Sequence, residues 1–159
     1  MAEVTCLRGE FKSRPFRFGV NLMALTARHT AIAAFTGART VRGSTTGQPA
    51  VVTAEELDER VARYREPAAD REEPAELNLL VRMVVVTEDR EAAVRPLLEQ
   101  VPHLTTDQVV ELPVFLAGTL EQITARVRAR RERYGFTYLA VLEPYMEAFA
   151  PVMRALRED

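Results

Sequence analysis

The sequence predicts a mixed α/β fold built on a mostly parallel β-sheet, and three observations support this prediction. The apolar run Glu76–Thr87 is typical of a strand that is buried on both faces of a sheet. Residues 135–157 combine a second apolar run, a Glu-Pro turn and an amphipathic helix, which is the pattern of a β-α unit. Because strands and helices alternate, we expect right-handed crossovers between parallel strands.

The first half of the chain contains short elements. We expect a strand over Phe16–Asn21, a helical piece over Met23–His29 and a strand over Ala31–Phe35. Residues 37–52 are rich in Gly, Ser and Thr and therefore predict a loop. The next helix starts at Thr53, where Thr53 and Glu56 have the spacing of a capping box, and Pro67 ends it.

The second half alternates helices with strands. Residues 88–101 predict a helix with an acidic first turn, and a short helix follows that Thr105 or Thr106 caps. A longer helix starts after Thr119 and ends at Gly135, and the last strand covers Phe136–Glu143. The residues expected on the core side of the final helix are Met146, Phe149, Ala150, Met153 and Leu156.

Composition narrows the class of protein. The length of 159 residues fits one domain, which we assign to residues 15–159 with an N-terminal arm over residues 1–14. The net charge of −2 argues against a nucleic-acid partner, and no apolar run approaches the ~18 residues of a membrane span. The single cysteine, Cys6, excludes an internal disulfide, and no signal-peptide pattern stands at the N-terminus. We therefore expect a cytoplasmic protein.

Two further patterns have alternative interpretations. The arginines from Arg126 to Arg133 fit a phosphate-binding helix, but a solvated helix face interrupted by Glu132 is the favoured interpretation. His29 and His103 are not at metal-ligand spacing, so we expect no metal site.

Four segments carry a resemblance to a known family. They are RPFRFGV (Arg14–Val20), ARHTAIAAFTG (Ala27–Gly37), ELNLLVRMVVVTEDREAA (Glu76–Ala93) and the stretch from Leu116 to Val152. In this order they resemble luciferase-like monooxygenases, which are flavin- or deazaflavin (F-420)-dependent oxidoreductases with a (β/α)8 barrel. The resemblance implies a barrel-type arrangement of the strands.

The chain departs from that family in the middle of the barrel. A complete barrel needs ~250 residues, whereas this chain passes from the first-strand motif at Asn21 to a late-strand motif near Ala31. The resemblance therefore implies a partial, half TIM-type barrel of about four mostly parallel strands. The segments that hold the ring in the family have no counterpart, so cofactor-binding residues stay unknown. We expect no resident cofactor, with a flavin or deazaflavin as the alternative.

A half barrel has unpaired sheet edges and an open lumen. Such edges associate unless they are covered, so we expect a homodimer that completes the barrel. The alternative is a monomer whose helices and N-terminal arm cover the edges.

In barrels of parallel strands, functional residues gather at the carboxyl ends of the strands. A strand-end carboxylate among apolar neighbours can have a raised pKa, so Glu143 is the first candidate for acid-base catalysis and His29 is the second. The favoured alternatives are that Glu143 only orders the strand-to-helix turn or pairs with an arginine, and that His29 is a surface or helix-capping residue. Asn78 and Arg82 share one side of their strand, which either meets solvent or lines a polar pocket. The candidates for binding a substrate are Asn21, Arg39, Asn78, Arg82 and Tyr145.

Three functions are compatible with these residues. The first is a cofactor-independent biosynthetic enzyme that binds a small, largely apolar metabolite at a barrel mouth completed by the dimer. The second is a flavin- or deazaflavin-dependent oxidoreductase whose site the dimer rebuilds. The third is a ligand-binding or interaction module without catalytic activity.

Overall fold

The structure is a computed structural model, and it describes residues 23, 26–40 and 49–157. The strands in this part of the chain are β1 (Ile32–Phe35), β2 (Ala38–Thr40), β3 (Pro49–Val51), β4 (Glu76–Val81), β5 (Met83–Val86), β6 (Phe115–Gly118) and β7 (Phe136–Val141). The helices are α1 (Ala54–Ala68), α2 (Arg90–Leu98), α3 (Thr106–Val110), α4 (Leu120–Tyr134) and α5 (Met146–Arg157), with a 3-10 turn at Glu143–Tyr145. Residues 26–29 are also helical.

The mixed α/β fold is confirmed. The predicted arm and the predicted strand Phe16–Asn21 lie outside the described residues. None of the helices in the described ranges is long and apolar enough to cross a membrane.

The main sheet is parallel, as the sequence predicts. It has the order β1-β4-β7, and β4 forms parallel ladders with both neighbours. Phe35 pairs with Leu79 on one side of β4, and Leu79 pairs with Leu139 on the other. A bulge between Leu77 and Asn78 shifts the register with β7. The three strands therefore point their carboxyl ends toward one edge of the sheet.

The strand predicted over Glu76–Thr87 is broken at Arg82 into β4 and β5. The Arg82 N–H donates to the carbonyl oxygen of Val114 at 2.8 Å. After Arg82, β5 pairs in parallel with β6. In this ladder Met83 lies beside Phe115, and Val86 lies beside Gly118. One continuous segment thus takes part in two parallel sheets.

The first hydrophobic cluster lies between β1-β4-β7 and α1. Leu57, Val61 and Tyr64 of α1 are buried, as their spacing along the helix predicts. The ring of Phe35 makes edge contacts with those of Tyr64 and Phe136, with centroids 5.9 and 5.4 Å apart. Such contacts stabilise a core beyond simple burial of area.

Two more clusters cover β5 and β6. Val81, Val84 and Leu116 pack against α4 and α5, where the buried residues are Ile123, Val127, Phe149 and Val152. The third cluster contains Val94, Val101, Val109, Leu112, Phe115 and Ala117. Both sides of β5 therefore contact helices.

Local hydrogen bonds define the ends of the helices as the sequence predicts. Thr53 Oγ1 accepts from Glu56 N at 3.3 Å, and the Glu56 carboxylate accepts from Thr53 N at 3.1 Å. Thr119 and Gln122 form the same capping box at α4. Gly135 ends α4 with a φ of 77°, a conformation that glycine adopts without steric cost.

Two structured regions differ from the predictions. Residues 37–52 contain the antiparallel pair β2-β3, in which Arg39 lies opposite Ala50, so the loop prediction is wrong there. β6 is a strand that the sequence does not predict, since its four residues form too short an apolar run to stand out. Thr105 is the residue that caps α3.

Several large apolar side chains are exposed, and two of them were expected on the core side of the final helix. Met146 and Met153 of α5 are exposed. On the same helix, Phe149 and Val152 are buried against the core. Leu120 at the start of α4 and Tyr138 on β7 are also exposed. The physical reason is that α5 and β7 each have one covered side only among the described residues.

Gly37 provides the first testable prediction. Its φ is 63°, and a Cβ there would come within 1.8 Å of Val114 Cγ1. We expect Gly37→Ala to lower the free energy of unfolding by about 3 kcal/mol, from backbone strain and overpacking together. Gly135→Ala is the matched control, since its φ is also positive but its Cβ would lie 3.3 Å from the tip of Arg65 and 3.8 Å from Leu77 Cδ1. That variant should lose about 1 kcal/mol. Equal losses in urea denaturation would contradict the role of Val114.

Candidate functional site

One face of the main sheet is not covered by any described helix. The ladders place Ala34 beside Asn78, Asn78 beside Tyr138, and Leu80 beside Ala140. We call this side the open face, and its residues are Ile32, Ala34, Glu76, Asn78, Leu80, Tyr138 and Ala140. Ile32 is 47% exposed and Tyr138 is 45% exposed. The helices of the first two clusters pack against the opposite face.

Asn78 is a buried polar group at the centre of the open face, with 6% of its surface exposed. Its side-chain Nδ2 donates to the carbonyl oxygen of Tyr138 at 3.3 Å. Its Oδ1 accepts no hydrogen bond from the described residues. The amide is therefore held by β7 through its nitrogen.

Arg82 and Glu143 lie at the carboxyl edge of the same sheet. Leu142 N–H donates to the carbonyl oxygen of Val81 at 3.4 Å. The next residue on each segment, Glu143 after Leu142 and Arg82 after Val81, therefore lies beside the other. Both charged side chains are exposed, and within the described part of the chain neither forms an ion pair. Leu142, which is 39% exposed, places an apolar side chain next to them.

The other predicted site residues lie elsewhere. His29 is exposed at the end of the helical residues 26–29, and Asn21 lies outside the described residues. Arg39 is on the β2-β3 hairpin, where its Nε is 3.0 Å from Glu56 Oε1 in an ion pair that lacks hydrogen-bond geometry. Tyr145 is half-buried and packs against the second cluster. Of the predicted residues, the structure places Arg82 and Glu143 on neighbouring chain segments, and Asn78 lies four residues before Arg82, on β4.

A second site, which sequence reasoning missed, is a cavity of about 100 Å³ beside α4. Its lining residues are Ala54, Glu111, Pro113, Arg126, Ala129, Arg130, Arg133 and Tyr134. Three arginines separated by four and three positions are on the same side of a helix, which is the signal the sequence contains. The solvated-face interpretation is wrong for Arg130, which is buried, although Arg128 and Arg131 are exposed.

The charges around this cavity are unevenly paired. Arg126 Nη2 donates to Glu111 Oε1 at 2.7 Å, and Arg133 Nε donates to Asp58 Oδ1 at 3.0 Å. Arg130 Nη2 donates to two backbone carbonyls and forms no ion pair with a described residue. Burial, followed by the like charge of Arg126, lowers the pKa of the Arg130 guanidinium to about 9.

Comparisons with family models, curated proteins and solved structures found no match for this chain. Within the described residues, no group of three His, Cys, Asp or Glu side chains has the placement needed to hold a metal ion. The residues of the two sites are therefore interpreted from their own geometry and chemistry.

Asn78 is the residue whose loss tests the architecture of the open face. We expect Asn78→Leu to lower the free energy of unfolding by about 1–2 kcal/mol, because the bond to the Tyr138 carbonyl is lost from a buried position. Glu76→Gln, an exposed change in the same strand, should stay within about 0.5 kcal/mol of the wild type. Thermal and urea unfolding measure both variants. An Asn78→Leu protein as stable as the wild type would show that the amide is not held as described.

Proposed function

We propose that this chain is one half of a composite α/β barrel, in which a second copy covers the open face. A small, largely apolar metabolite would bind between the two copies. The single observation that carries the proposal is the open face itself. Parallel sheets occur almost only with both faces covered, whereas here the described helices cover one.

The composition of the open face supports a binding role. Ile32, Leu80 and Tyr138 supply apolar surface, and Asn78 contributes a single hydrogen-bonding group at the centre. Small-molecule sites have this character, with mostly apolar walls and a few fixed polar groups. A charged or nucleotide-like ligand would require more polar partners than this face contains.

The carboxyl edge of the sheet suggests the chemistry. Glu143 can accept a proton from a ligand that lies over β7, and the electron pair then stays on the ligand. Arg82, on the neighbouring strand, can stabilise the anion that forms. This assignment describes a proton-transfer enzyme that needs no flavin for the step. Under this proposal, the chain would resemble luciferase-like proteins in its fold and not in its chemistry.

An oxidoreductase that uses a flavin or deazaflavin is the second candidate, and the resemblance of four segments to luciferase-like monooxygenases favours it. A parallel sheet with an open lumen side is compatible with that function. The two candidates differ in whether an isoalloxazine ring binds, so cofactor titration separates them.

The dimer gives the first test of this proposal. In sedimentation velocity we expect the wild type to be a dimer and the Tyr138→Lys variant to be a monomer, because a buried unpaired charge opposes association. Met153→Lys is the matched control, since Met153 is exposed to a similar degree, 44%, on α5 rather than on the open face. A monomeric wild type, or dissociation by both variants alike, would rule out the composite barrel.

Ligand binding gives the second test, with two probes. The apolar dye anilinonaphthalene sulfonate should increase in fluorescence with the wild type and not with Ala34→Glu, which places a charge on the open face. Val86→Glu, an exposed apolar position outside that face, is the control and should bind the dye normally. FMN should show no saturable quenching. Quenching at one FMN per chain would support the oxidoreductase, and a dimer that binds neither probe would support an interaction module.

A further inference from the structure

We propose that the cavity beside α4 binds one small oxyanion, a single phosphate or carboxylate group, with Arg130 as the group that holds it. The proposal is independent of the open face, because it rests on residues of α1, α4 and the segment that precedes β6. It adds an anion site to a protein for which the proposed ligand is largely apolar.

Arg130 is built into the protein as a buried cation. Only 7% of its surface is exposed. Its Nη2 donates to the carbonyl oxygens of Leu112 and Phe115, each at 2.9 Å, which fixes the plane of the guanidinium. The N–H groups on Nε and Nη1 donate to none of the described residues, and Arg130 lines the cavity. Three donors in a fixed geometry are thus left for a ligand.

No carboxylate of the described residues forms a direct ion pair with Arg130, and Glu111, which lines the same cavity, acts on its charge only at longer range. A buried charge without an opposite charge is costly, and proteins normally pair it. The two arginines on either side contact carboxylates directly: Arg133 pairs with Asp58, and Arg126 pairs with Glu111, which Arg90 also approaches at 3.7 Å. An anion in the cavity would supply the missing partner to Arg130.

The size and walls of the cavity define the class of ligand. Its volume of about 100 Å³ is well below the ~300–1,000 Å³ of pockets for drug-sized molecules, so it suits one small group. Ala54, Pro113 and Ala129 form apolar walls, which strengthen a charge-assisted hydrogen bond. Both two-pronged edges of a guanidinium include Nη2, which already donates to two carbonyls, so an oxygen of a carboxylate or phosphate would accept singly from Nε or Nη1.

A purely structural role for Arg130 is the competing explanation. Arg130 of α4 donates to the carbonyl of Leu112, which precedes β6, and to that of Phe115 in β6. These two hydrogen bonds already stabilise the contact between α4 and β6. A change at Arg130 alone would damage both roles. The decisive variant therefore leaves Arg130 intact and changes the charge of the cavity wall.

Glu111→Gln is that variant. It removes a negative charge from the lining and leaves an amide oxygen to accept from Arg126. Inorganic phosphate and acetate, titrated separately by calorimetry at constant ionic strength, are the two probes. We expect the wild type to bind at least one of them and Glu111→Gln to bind it about five- to tenfold more tightly, since a like charge beside the anion is lost. Which probe binds more tightly distinguishes phosphate from carboxylate.

Two controls complete the experiment. Glu121→Gln, at an exposed position in the first turn of α4, should bind like the wild type. Arg130→Gln should bind about tenfold or more weakly, while Arg131→Gln, exposed on the same helix, should not change affinity. The proposal is overturned if the wild type binds neither anion, or if Glu111→Gln and Glu121→Gln have the same affinity. The Glu111 comparison decides the question even if Arg130→Gln fails to fold.

Discussion

The segment Glu76–Val86 supplies side chains to all three hydrophobic clusters, and the rest of the structure depends on that arrangement. Leu77 and Leu79 enter the first cluster, and Val81 and Val84 enter the second. Met83 and Val85 pack against the third. The break at Arg82 makes this possible, because its N–H bonds to the Val114 carbonyl while the strand passes from the ladder with β1 and β7 to the ladder with β6. A straight strand would present its alternate residues to two faces only.

The same arrangement leaves the open face without a covering helix from the described residues. The first two clusters join β1, β4 and β7 to α1, α4 and α5, and all of these contacts are made on one side of the sheet. On the other side, Ile32 and Tyr138 stay exposed although they belong to strands of a parallel sheet. Burying such surface contributes roughly 25 cal/mol per Å², so a ligand or a second copy would gain free energy by covering it.

How far the sequence could predict the structure depends on the range of the interactions involved. Capping at Thr53 and Thr119 and the end of α4 at Gly135 were predictable, because each is determined by residues within one helical turn. The break at Arg82 was not, since it requires the Val114 carbonyl, which is remote in sequence. The β2-β3 hairpin was missed because backbone pairing formed in a segment whose composition is typical of loops. At the sites, Asn78 could be predicted as a candidate binding residue, because it is a polar residue within an apolar strand. The burial of Arg130 was not, because it depends on two carbonyls from another part of the chain.

The two sites differ in electrostatics and can therefore act separately. The open face has one amide amid apolar side chains, and its charged residues, Glu76 at one end and Arg82 and Glu143 at the other, are exposed to solvent, which screens them. The cavity beside α4 places three guanidinium groups and the Glu111 carboxylate around a small volume, and Arg130 is the buried member of this set. Because the cavity is formed by helices on the covered side of the sheet, an anion there would not compete with a ligand or a second copy on the open face. It would instead act on the contact that Arg130 makes between α4 and β6, and so on the strand that β6 pairs with.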